Sequence, residues 1–96
     1  MRITNVIWVQ QFVEKIERKH DVTRDEVESL FASQPSVRLV ERGNIKGEDL
    51  YRAVGQTDEG GYLAVFFVYK KRGRALVISA RDAAAKELRA YVNRKK

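Results

Sequence analysis

The clearest apolar pattern lies in the last third of the chain. Tyr62 to Tyr69 carries no charge, and Ala75 to Ala80 is again apolar. The first run is far shorter than the roughly 20 residues of a membrane helix. Its β-branched and aromatic content predicts a strand buried on both faces. The basic segment Lys70–Arg74 between the runs contains Gly73, a hairpin signal.

Upstream the periods change. Ile3 to Trp8 reads as an edge strand. From Gln10 to His20, Phe12, Val13, Ile16 and His20 recur along one helical face. Thr23 and Glu26 form a capping box for a second helix. Val22 and Val27 are placed to staple it, Val27, Leu30 and Phe31 make its buried stripe, and Pro35 ends it. Ser36 to Arg42 alternates, with Val37 and Leu39 on one side and Arg38, Val40 and Arg42 on the other. Gly43 to Asp49 is a polar loop. Leu50 to Gln56 is a strand with Arg52 on the face of Leu50 and Val54, and residues 57–61 form a turn. The last helix is expected from Asp82, as its cap, to about Arg94. Its apolar face holds Ala84, Leu88, Tyr91 and Val92, with Glu87 at the border. The order β-α-α-β-β-β-β-α predicts an α+β domain over residues 1–96 with an antiparallel sheet of four to five strands.

Charge adds a direction to this picture. Residues 1–69 balance at −2, with 9 basic and 11 acidic side chains; residues 70–96 balance at +8, with 10 basic and 2 acidic, which gives the net +6. A basic end on a neutral body suggests a polyanionic partner, RNA, DNA or an acidic segment. A charged tail that only favours solubility is the bland alternative.

Several chemistries are excluded by content. The chain has no cysteine and one histidine, too few for the usual zinc sets or for disulfides. No phosphate-binding glycine loop or nucleophile elbow is present. No cofactor is expected. The lack of cysteine fits a reducing cytoplasm, and the N-terminal segment lacks the features of a secretory signal. Catalysis would have to run without metal on Arg, Lys, Tyr, Glu and one His. RNA cleavage meets that condition, because the substrate's own 2′-hydroxyl attacks the phosphorus. The protein then supplies a base, an acid and cations for the developing charge.

Three segments carry a resemblance. ERKHDV at the first helix end resembles the KHG[IV] junction of BrnT-type toxins. YRAVG resembles their R[WF]xAxG strand. ISARDAAAKELRAY fits the pattern I-S-A-R-x-A-x-x-x-E-x-x-x-Y at every fixed position. The resemblance implies a RelE-like toxin fold and an endoribonuclease that halts translation. It also implies a cognate antitoxin, usually a ribbon-helix-helix DNA-binding protein, through which the pair reaches operator DNA. Carried over by position, the motif residues are Lys19, His20, Ser79, Arg81, Glu87 and Tyr91. Asp21 stands at the pattern's glycine, Ile16 at an asparagine and Leu50 at the arginine opening the strand motif, with Arg52 on the same face as Leu50.

Each residue keeps two readings. His20 is a general acid or base, or a helix-terminal histidine packed under Phe12 and Ile16. Arg81 contacts phosphate or pairs with Glu87 or Asp82. Glu87 and Tyr91, with Lys19, serve the chemistry, or Glu87 and Tyr91 anchor the last helix. Lys70, Lys71, Arg72 and Arg74, with Arg52, follow an RNA backbone; alternatively the turn guards the hairpin or meets an acidic antitoxin. Ser79 reads as a spacer, and Trp8 as core. The competing function is a catalytically degenerate homologue that only binds RNA or antitoxin.

Overall fold

The structure is a computed structural model, and it describes residues 1–45 and 47–95. Lys46 of the polar loop and Lys96 of the basic end lie outside the described residues. The element order is β1 (Asn5–Ile7), α1 (Gln10–His20), α2 (Arg24–Ala32), β2 (Ser36–Glu41), β3 (Leu50–Gln56), β4 (Tyr62–Lys70), β5 (Arg74–Asp82) and α3 (Ala85–Lys95). One sheet holds the strands in the order β1-β5-β4-β3-β2. β2 to β5 form the expected antiparallel meander. β1 joins the far edge parallel to β5, which makes the sheet mixed.

The core lies between one sheet face and the first two helices. Ile16 from α1, Val22 from the connection, and Val27, Leu30 and Phe31 from α2 meet Ala53, Leu63, Val65, Phe67, Ala75, Val77 and Ala80. The Phe67 ring is central, edge-on to Phe31 at 5.3 Å and stacked with Tyr51 at 5.8 Å. The capping box is made in full: the Thr23 hydroxyl accepts from the Glu26 N–H, and the Glu26 carboxylate accepts from the Thr23 N–H. β4 is less enclosed than its composition predicts. Leu63, Ala64, Val65 and Phe67 are buried, but Phe66 and Val68 are only half-buried. The helices cover one sheet face, whereas α3 covers only part of the other.

Two features of β5 and α3 depart from the expected pattern and position the site. Phe66 pairs with Ser79 while Phe67 pairs with Val77, so Ile78 is an extra residue, a β-bulge. Side chains alternate along a strand, so regular pairing would send Ala75, Val77, Ser79 and Arg81 to one face. The bulge resets the alternation. Ala80 turns into the core with Ala75 and Val77, and Ser79 and Arg81 emerge on the opposite, open face. The second departure is the helix start. Asp82 is not the cap expected for α3; it is still paired in β5, opposite Leu63. The helix begins three residues later, and the Glu87 carboxylate accepts the Ala84 N–H at 2.8 Å, half of a capping box.

Candidate functional site

The open face of the sheet is ordered in rows across the strands. One row is Ser36, Val54, Ala64, Arg81; the next is Arg38, Arg52, Phe66, Ser79. At the edge of these rows α3 presents Glu87, the most buried acidic residue described, at 8% exposure. It does not sit at the border of an apolar face as expected from periodicity. It points at the sheet, while Val92 is exposed and Leu88 and Tyr91 are half-buried.

Glu87 is enclosed by cations. Arg81 donates Nη1 to Oε1 at 2.7 Å and Nη2 to Oε2 at 2.8 Å, a bidentate fork. Arg52 Nη1 lies 3.4 Å from Oε2. With the Ala84 N–H, both carboxylate oxygens are occupied. The Arg81 hydrogen bonds first, then the Ala84 N–H and the charges of Arg81 and Arg52, hold the Glu87 carboxyl below the ordinary carboxylate range, although burial opposes them. The same pair raises the Arg81 guanidinium pKa. Arg81 also lies over the Phe66 ring, 5.3 Å from its centroid, and its side chain stays 35% exposed. Nη1 also donates to the Asp82 carbonyl at 3.1 Å, so the guanidinium is locked in one orientation, and as a partly exposed cation it can bind an anion without further ordering.

Arg52 contributes a second cation with different surroundings. Its Nε is buried and has no hydrogen-bond partner among the described residues. It lines a cavity of about 10 Å³ with Arg38, Glu87 and Tyr91, room for a single water-sized group. Tyr91 also meets Tyr62 edge-on at 6.0 Å.

Of the residues singled out from the sequence, Arg81, Glu87, Tyr91 and Arg52 converge here. Ser79 lies in the adjacent row. Lys19 and His20 end α1, which packs on the helix-covered face through Ile16; both are exposed. Among the described residues no hydrogen bond or ion pair links them to the Glu87 cluster. Asp21 closes that helix in the left-handed conformation, φ 54°, with its N–H on the Glu17 carbonyl. The conformation that glycine adopts readily is therefore kept by an aspartate.

The basic turn lies at the other end of β5, seven residues and roughly 20 Å from Arg81. Lys70 is ion-paired with Glu48, and Arg74 Nε donates to the Lys71 carbonyl. Lys71, Arg72 and Arg74 are exposed and, with Asn5, line a cleft of about 460 Å³. Trp8 is half-buried and donates Nε1–H to Glu28. Two residues at the site were not singled out from sequence. Arg38 was visible only as the outward phase of an alternating strand, and Phe66 only as part of an apolar run. Their convergence depends on the strand register and the bulge.

No three His, Asp or Glu side chains among the described residues converge as a metal-binding group. No described helix is long and apolar enough to cross a membrane.

Comparison with known proteins bears on this geometry. Curated proteins give no match to the chain. In fold, it is similar to the crystal structure of the Brucella abortus ribonuclease toxin BrnT. The TM-score is 0.59 at 19% identity, over 84% of this chain and 97% of that one. The family model described as "Ribonuclease toxin, BrnT, of type II toxin-antitoxin system" matches residues 8–87. That span runs from Trp8 to the buried Glu87 and takes in the whole sheet from β2 to β5. The chain therefore belongs to the BrnT family of ribonuclease toxins from type II toxin–antitoxin systems.

Proposed function

We propose that this protein is a metal-independent endoribonuclease toxin that inhibits translation by cutting RNA through attack of a 2′-hydroxyl on the adjacent phosphorus. The observation that carries this reading is the Arg81 fork. Glu87 holds it at the end of β5, facing outward on an open sheet surface beside Arg52. In the transition state, negative charge grows on the phosphoryl oxygens. Arg81 is oriented before the substrate arrives and so stabilises that charge without reorganisation. Glu87 is already fully engaged as an anion, so its role is to position Arg81. Tyr91, which lines the cavity with Arg52, is assigned to proton transfer in this reading.

The family implies a cognate antitoxin. A ribbon-helix-helix protein is the proposed partner, with operator DNA reached only through it, and the cytoplasm is the proposed site of action. Lys71, Arg72 and Arg74 extend the cationic surface for the RNA backbone.

The test is induced expression without a partner, using the wild type, Arg81→Ala and His20→Ala, with soluble protein confirmed for each. Growth arrest with early RNA loss, relieved by Arg81→Ala, is the expected result. Cleavage by purified protein should persist in EDTA. Relief by His20→Ala as well would bring the end of α1 into the reaction. A second reading rests on Leu50, which occupies the arginine position of the family strand motif. It makes the chain a degenerate homologue that binds RNA or antitoxin without cutting. Intact RNA and normal growth with abundant folded protein would favour it.

A further inference from the structure

Arg38 and Arg52 are direct cross-strand partners on β2 and β3, on the open face of the sheet. Side chains so paired have Cβ atoms about 5 Å apart, and like charges there are destabilising. Glu87 is ion-paired to Arg52 and Arg81, and among the described residues Arg38 makes no ion pair. Arg52 Nε is buried and has no acceptor among the described residues, and Arg52 and Arg38 both line a small cavity. From the far side, Arg94 donates to the Ser36 hydroxyl, which lines the same cavity, and so adds positive charge. Arginines thus surround a single carboxylate, and one of them keeps a buried donor unused among the described residues. Folding alone gives no reason to place two arginines opposite each other here. A bound anion does, because it neutralises the pair.

We propose that Arg38 and Arg52 form a second phosphate subsite beside Arg81, which holds a phosphodiester next to the one being cut. This rests on the ribonuclease reading and adds a substrate requirement to it: the RNA must carry at least one further phosphate. RNA is favoured over an acidic peptide because Phe66 lies in the same cross-strand row with the Arg81 guanidinium over its ring, and bases stack on aromatic rings and guanidinium planes.

Two measurements on purified full-length protein test the subsite, using Arg38→Gln, a site outside the core. The first is affinity for a short 2′-O-methyl RNA, which lacks the attacking hydroxyl, over a range of salt. Roughly tenfold weaker binding is expected, with the salt slope reduced by about 0.7. The thermal midpoint should be unchanged or raised. The second is cleavage of a dinucleotide against a trinucleotide. Arg38→Gln should slow the trinucleotide to near the dinucleotide rate and leave the dinucleotide unaffected. Equal losses on both substrates, or unchanged affinity and slope, would overturn the subsite while leaving the nuclease intact. RNA binding that depends on Arg38, without cleavage of either substrate, would overturn the nuclease reading and keep the subsite as a phosphate site. Unchanged RNA binding with lost binding of a polyaspartate peptide would assign the arginine pair to an acidic polypeptide instead.

Discussion

Arg81 and Glu87 are joined by two parallel hydrogen bonds of 2.7 and 2.8 Å, and this pair ties the end of β5 to the first turn of α3. The planar fork sets both the direction of the guanidinium and the seat of the helix. Lysine keeps the charge but cannot make two parallel bonds to one carboxylate. Arg81→Lys is therefore expected to lose most of the RNA cleavage, about 10²- to 10³-fold, at a stability cost of only about 1–2 kcal/mol. Single-turnover cleavage and urea unfolding of the same preparations check both values. Activity close to wild type in the lysine variant would mean that charge alone suffices and the fork is structural.

Glu87 gives the fold a dependence on acid. Its carboxyl is held low by the Arg81 hydrogen bonds first. A depressed folded-state pKa stabilises the protein above the unfolded-state value, about 4.3, and this stability is lost as pH falls through the folded-state value. Glu87→Gln keeps the shape and an oxygen for the Ala84 N–H but removes the charge. The wild type should exceed it by about 1–3 kcal/mol near neutral pH. The gap should hold down to about pH 5 and narrow steadily below about pH 4. Urea unfolding of both proteins across that range measures it; a gap independent of pH would assign the stability to packing.

The element order and the capping box of α2 were legible because local rules set them. The residues Thr23, Glu26, Val22 and Val27 each satisfy a short-range requirement. The motif around Arg81 was legible as a pattern, but the side of the sheet it would face was not. Plain alternation places Arg81 with Ala75 and Val77, and only the extra residue Ile78 turns it outward. The start of α3 was misplaced because Asp82 is the better cap by type. Pairing with Leu63 holds it in the strand, and Glu87 caps from inside the helix. Arg38 was hidden for a related reason: its neighbour Arg52 is set by the register between β2 and β3, which no local signal states.

At the turn between β4 and β5, Gly73 has φ 73°, and an added Cβ would lie 2.8 Å from Thr4 Oγ1 and 3.0 Å from the Arg2 carbonyl oxygen. The Gly73 carbonyl also accepts the Thr4 N–H at 2.8 Å, which docks the segment leading into β1. Gly73→Ala combines an unfavourable backbone conformation, about 1–2 kcal/mol, with a clash against that segment. The expected result is a lower thermal midpoint and faster hydrogen exchange at the amides of Asn5 to Ile7. Unchanged exchange in β1 would show that the hairpin absorbs the strain without releasing the edge strand.

Asp21 offers the opposite sign. It holds a left-handed conformation at φ 54° and ψ 38° and places a carboxylate at the carbonyl end of α1. Both are unfavourable: the Cβ crowds the backbone there, and negative charge opposes the helix dipole. Glycine relieves both, at the expense of some unfolded-state entropy. Asp21→Gly is expected to stabilise the protein by about 0.5–1 kcal/mol, and Asp21→Asn by less, since it removes only the charge. Thermal unfolding at low and high salt separates the two contributions, because salt screens the dipole term and leaves the steric one. If both variants are instead less stable than the wild type at every salt concentration, the Asp21 carboxylate makes a compensating interaction that outweighs its backbone strain.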